Sequence, residues 1–156
     1  MEGSSPARLY SMLIGGVLVI AGVIGFFYAA GFDTGQSICS GNGCDKAFGL
    51  FAVNGWHNLI HIATGAIGLI ALSYGYSAQR AYALYLGIVY ILVAAAGFAD
   101  LGSGDFNNTI FKIIPVNTGD NLLHLIFGLL GIGAALATPR AAGRPKAKPR
   151  PAAAKS

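Results

Sequence analysis

Charge is scarce in this chain. Asp, Glu, Lys and Arg make up 10% of its 156 residues, against about a quarter in an ordinary soluble domain. A soluble domain of this size coats its surface with charge, so the composition argues against one. Cysteine is scarce too, with two residues, which excludes a secreted mini-protein stapled by several disulfides. There is no H-E-x-x-H zinc motif, no G-x-G-x-x-G fingerprint, no phosphate loop and no nucleophile motif. What is abundant is apolar side chain, at 54%, and glycine, at 23 residues. Disordered chains are poor in apolar residues, so disorder is excluded for most of the length.

The few charges punctuate the chain. None falls between Arg8 and Asp33, between Lys46 and Arg80, between Arg80 and Asp100, or between Asp120 and Arg140. A helix needs about 20 apolar residues to cross a bilayer core. Four spans are expected, near 9–31, 52–74, 81–99 and 120–138, giving an all-α, four-helix membrane bundle over 9–138. Residues 1–8 precede it and 139–156 follow. The apolar runs are continuous, unlike the alternating strands of a membrane barrel. The first run is too long for a cleaved signal peptide, and none is expected.

Orientation follows from Lys and Arg. With both termini inside, Arg8, Arg80 and six residues of the tail face the cytoplasm, and only Lys46 and Lys112 face out. This satisfies the positive-inside rule and predicts a multi-pass protein of the plasma membrane with both termini cytoplasmic. Cys39 and Cys44 then fall in the first outer loop, where thiols oxidise. A disulfide between them is expected, since Gly41, Asn42 and Gly43 permit a tight turn. The tail from Pro139 has no large apolar residue and is expected to be disordered. Arg140, Arg144, Lys146, Lys148 and Arg150 are candidates for contact with anionic lipid headgroups. Nucleic acid is not expected as a partner, whereas a protein partner or a homo-oligomer in the membrane is compatible with the composition.

Spans two and four share a pattern at an offset of 63. Asn58-Leu-Ile-His-Ile62 pairs with Asn121-Leu-Leu-His-Leu125, Gly65 with Gly128, and Gly68 with Gly131. Spans one and three match more weakly at an offset of 72, pairing Gly15 with Gly87 and Gly25-Phe26 with Gly97-Phe98. The chain reads as two helical hairpins in tandem, related by a pseudo-two-fold axis along the membrane normal. Small residues let helix backbones approach in lipid. The pairs Ala21 with Gly25, Thr64 with Gly68, and Gly131 with Ala135 are therefore expected at helix contacts.

Polar side chains inside a span are costly and invite a functional reading. Here they gather at the outer ends of spans two and four: His57, Asn58, His61, Asp120, Asn121 and His124. His57 and His61 are four residues apart and share a helix face, as do Asp120 and His124. Across the repeat His61 and His124 stand at equal depth and are expected to face each other. Three readings stay open. The histidines cross-link helices, with Asn58, Asn121 and Asp120 satisfying their nitrogens and Asp120 paired to His57. They hold a haem or a metal, for which imidazole is suited, with His57, His61 and His124 as ligands. They line a quinone or ligand pocket. Helix capping explains part of the cluster, and Thr118 with Asn121 is the expected capping box. Trp56 suits an interfacial aromatic belt.

Two segments carry a family resemblance: Asn54-Gly-Trp-His-Asn-Leu-Ile-His61 with Gly65 and Gly68, and Ile114-Pro-Val-Asn-Thr-Gly-Asp-Asn-Leu-Leu-His124. Over residues 8–138 the chain resembles a family of small four-helix bacterial membrane proteins, the domain of unknown function 4383 type. The resemblance strengthens the four spans and implies no activity. The expectation is an integral membrane protein of structural or accessory role, not an enzyme and without a cofactor. The alternative is a haem-, metal- or quinone-binding redox protein using His61 and His124.

Overall fold

A computed structural model describes residues 5–34, 44–99 and 108–139. The order is α1 (Pro6–Tyr28), β1 (Lys46–Ala47), β2 (Phe51–Ala52), α2 (Gly55–Ala71), a 3-10 turn (Leu72–Tyr74), α3 (Gly75–Ala99), β3 (Asn108–Ile110), β4 (Ile114–Val116) and α4 (Thr118–Ala137). Three segments are long and apolar enough to cross a membrane: Pro6–Tyr28, Gly55–Ala99 and Thr118–Ala137. The middle one is 45 residues long. It is interrupted at the 3-10 turn and at Gly75, whose φ of 78° only glycine adopts freely.

Local chemistry sets the boundaries. Helix α1 starts three residues before the expected Leu9. The Ser5 hydroxyl accepts from the Arg8 N–H at 3.1 Å, and Pro6 takes the first helical position, where no N–H is needed. Another free donor of that first turn, Ala7 N–H, is met by Thr138 Oγ1 at 2.9 Å, which ties the start of α1 to the end of α4. Helix α3 starts at Gly75, six residues before the expected residue 81, and takes in Arg80. A charge at a span end is compatible with a helix because its long side chain can reach the interface.

Two antiparallel hairpins precede α2 and α4, and the expected spans had no place for them. In the first, Lys46 pairs with Ala52 and Ala47 with Phe51. In the second, Asn108 pairs with Val116 and Ile110 with Ile114. Their turns carry left-handed residues, Phe48 and Gly49 in one and Phe111 and Lys112 in the other.

Packing runs chiefly within two helix pairs, α1 on α2 and α3 on α4. Contacts match between them. A Cβ built on Gly15 would lie 3.0 Å from the Gly65 carbonyl oxygen, and one on Gly87 would lie 3.0 Å from that of Gly128. Gly25 is pressed against the Asn58 side chain, as Gly97 is against that of Asn121. Of the expected small-residue contacts, Gly25, Gly68, Gly131 and Ala135 are buried, whereas Ala21 is exposed. The core between the pairs holds Tyr10, Ile14, Leu18, Tyr82, Leu86 and Tyr90, with the Tyr10 hydroxyl donating to the Phe127 carbonyl at 2.9 Å. Outward faces carry Leu13, Ile20, Leu92, Leu129 and Leu136, each more than half exposed. Apolar surface on that scale marks a protein that meets lipid or a partner.

Candidate functional site

The site is built where α2 and α4 begin. Asn54 stands in extended backbone and its side chain accepts from the His57 N–H at 2.9 Å, so the helix starts at Gly55. From that start His57 and His61 emerge one turn apart on the same face. Asn117 does the same for α4, accepting from the Asp120 N–H at 3.1 Å while Asp120 Oδ2 accepts from the Asn117 N–H at 2.9 Å. This reciprocal capping box joins Asn117 and Asp120, not Thr118 and Asn121. An asparagine with an acid three residues later makes both bonds, and the sequence carries that signal.

The two asparagines also reach across the molecule. Asn54 Nδ2 donates to the Ile113 carbonyl of the second hairpin at 2.7 Å. Asn117 Nδ2 donates to the Leu50 carbonyl of the first at 2.8 Å. Each hairpin is thus held by the helix start of the other half.

Three imidazoles converge on this frame. One ring nitrogen from each of His57, His61 and His124 lies within 4.8 Å of the others. Ring centroids are 4.4 Å apart for His57 and His61, 6.1 Å for His57 and His124, and 6.3 Å for His61 and His124. His57 and His124 are buried and His61 is half-buried. His57 Nδ1 lies 2.8 Å from the Ala52 carbonyl oxygen. A carbonyl only accepts, so Nδ1 carries the proton in this contact. The Pro115 backbone lies close to the same ring. His124 Nδ1 is buried and has no hydrogen-bond partner among the described residues. The ring of Tyr90, from α3, stands 4.7 Å from that of His124. Nothing in the sequence pattern had singled out Tyr90, although a tyrosine inside an apolar span is itself a polar signal.

Asp120 and Asn58 serve the backbone instead of the imidazoles. Asp120 does not pair with His57. Its Oδ2 accepts from the Ala52 N–H at 2.9 Å, and His57 engages the carbonyl of that same residue. Asn58 Nδ2 donates to the Ala29 carbonyl at 2.8 Å and so satisfies the end of α1. The Asn121 amide is fully buried against Gly97 and has no partner among the described residues. The Trp56 indole N–H donates to the Phe32 carbonyl at 3.1 Å, and the two rings meet edge to face.

The Cys39 end of the expected disulfide lies outside the described residues, and Cys44 is buried. Arg140, Arg144, Lys146, Lys148 and Arg150 also lie outside them.

A cleft of about 310 Å³ opens beside the imidazoles. Its walls come from α1 (Val17, Ile20, Ala21), the first hairpin (Phe48, Phe51) and Leu123 of α4, and its polar end from His57, Asn58, His61 and Asp120. A smaller space of about 80 Å³ continues from His61 toward His124 and Tyr90.

The family model described as a domain of unknown function (DUF4383) matches residues 8–141. The chain belongs to this family. No curated protein and no solved structure matches it.

Proposed function

We propose that the chain is a four-span integral membrane protein that binds one divalent transition-metal ion through His57, His61 and His124. The observation that carries the reading is the convergence of three ring nitrogens within 4.8 Å. Ligand distances of about 2.0–2.1 Å to a tetrahedral zinc ion put ligand nitrogens roughly 3.4 Å apart, so the rings close by little more than 1 Å to coordinate. Imidazole suits zinc, copper and nickel, and three protein ligands leave one position open. The His57 Nδ1–H bonded to a backbone carbonyl is the arrangement that orients a ligating histidine. The unpartnered His124 Nδ1 points the same way, since a buried nitrogen without a partner is costly. Haem fits less well: two axial histidines need a planar slot between them, and here the His57 ring stands against His61.

The spans are α1, α2, α3 and α4. Helix α2 has 17 residues, the short end of the range for a span, and the break at Gly75 separates it from α3. The matched glycine and asparagine contacts of the two helix pairs support a tandem repeat. The basic asymmetry supports cytoplasmic termini, with the basic tail on anionic headgroups and a Cys39–Cys44 bridge on the opposite side. A structural or accessory role is the second reading, favoured by the cross-bonds from Asn54 and Asn117.

Metal analysis of protein purified without chelator, followed by titration with Co(II), tests the proposal. One ion per chain is expected, with the visible bands of four-coordinate Co(II) lost in His61→Ala and His124→Ala. Substoichiometric metal together with a colourless Co(II) titration would leave the structural role.

A further inference from the structure

We propose that the cleft between α1 and α4 holds a lipid-soluble quinone, its ring between the apolar walls and one ring oxygen against the histidine centre. The inference rests on the metal reading for what that oxygen meets, and on the cleft for everything else.

The shape of the lining identifies the occupant. One end is polar, with His57, His61 and Asp120, and the rest is hydrocarbon from Val17, Ile20 and Phe51. The His57 and Asp120 groups in that end are already engaged with the Ala52 backbone. His61 is half-buried and lines the cleft, so an occupant meets either its ring or the ion that it helps to hold. A lipid acyl chain filling the cleft would leave that polar end unmet, which is unfavourable in an apolar setting. An anionic headgroup would lose its hydration against walls that carry no Lys or Arg. A neutral ring bearing a carbonyl or hydroxyl oxygen satisfies both ends: its faces lie on aliphatic and aromatic walls and its oxygen reaches the imidazoles. The volume, about 310 Å³, is at the lower bound of small-molecule pockets and accommodates a single ring, with an attached tail left outside.

The direction of access agrees. Val17 and Ile20, which line the cleft from α1, are 46% and 60% exposed. In a protein that spans the membrane this surface meets lipid, so a ligand dissolved in the bilayer enters sideways without crossing water. Ala21, expected at a helix contact, instead contributes a small side chain to the wall, and its size keeps the cleft open.

The test uses the full chain in nanodiscs, with and without Co(II), titrated with decylubiquinone. Trp56 is the sole tryptophan, and it neighbours His57, so quenching of its fluorescence reports occupancy in either metal state. Saturable quenching is expected for the natural sequence, with at least a tenfold weaker Kd in Ala21→Phe, whose Co(II) bands stay intact. The bands of the natural protein should shift as quinone binds. Leu123→Phe provides a second block from the opposite wall, should Ala21→Phe lose its Co(II) bands. Quenching that does not saturate, or that is equal in the blocked variants, overturns the quinone. Saturable quenching without any band shift overturns the contact with the histidine centre. Absence of Co(II) bands in the natural protein overturns the metal reading alone, because the quenching titration still decides the cleft.

Discussion

Asn117 performs two separable tasks, and three side chains at that position measure each. Its Oδ1 caps α4 through the Asp120 N–H, and its Nδ2 donates to the Leu50 carbonyl 67 positions away. Asn117→Ser keeps a capping oxygen and loses the donor that reaches Leu50. Asn117→Ala loses both. A cap replaced by alanine costs about 1 kcal/mol. A hydrogen bond between membrane helices averages about 0.6 kcal/mol, and one in a soluble protein about 1 kcal/mol. Asn117→Ser should therefore cost about 0.5–1 kcal/mol and Asn117→Ala about 2 kcal/mol, roughly thirty-fold in the folded ratio. Reversible unfolding in mixed micelles, followed by circular dichroism as denaturing detergent rises, gives both values. A serine variant as stable as the natural protein would mean that the bond to Leu50 contributes nothing. Equal losses for serine and alanine would mean the same of the cap.

Three other outcomes follow from the packing and topology. Gly25→Ala and Gly97→Ala each drive a methyl into the amide of a buried asparagine, so each should destabilise by about 1–3 kcal/mol, whereas Gly16→Ala, with nothing within 4 Å, should be neutral or stabilising in the same detergent titration. In a background with Cys39 and Cys44 replaced by serine, a membrane-impermeant thiol reagent added to whole cells should label Phe111→Cys and spare Ser77→Cys; the opposite pattern reverses the orientation. Rapid alkylation and non-reducing mass spectrometry of protein from its native membrane should find Cys39 and Cys44 oxidised, and two alkylated thiols would disprove the bridge.

The helical stretches were legible because charge is confined to a few positions, so the gaps between charges bound the apolar runs directly. His61 and His124 were legible as a pair because the same asparagine-leucine-x-histidine pattern precedes the same glycines. The start of α1 was not, because counting from Arg8 assumes that a charge ends a span, while the Ser5 cap and Pro6 start the helix before it. The hairpins were hidden for another reason. Strands of two or three residues carry too few positions for an alternating pattern to register, and the left-handed turn residues Phe48, Phe111 and Lys112 are types that usually avoid that conformation. The partners of Asp120 and Asn58 were hidden because both are backbone groups, at Ala52 and Ala29, and backbone groups leave no mark in side-chain identity.

The crossed asparagine bonds bear on what counts as a folding unit in this chain. Helix α1, the first hairpin and α2 form a contiguous half, yet its helix-start asparagine is satisfied by Ile113 in the other half, and Leu50 by Asn117. Neither half alone can meet all of its own polar groups. Ser77, an exposed residue near the start of α3, lies where the chain passes from one half to the other. Two fragments separated there and produced together should reassemble into the intact molecule, while either fragment alone should be captured by quality-control proteases, the behaviour expected of an obligate heterodimer whose subunits share one peptide chain.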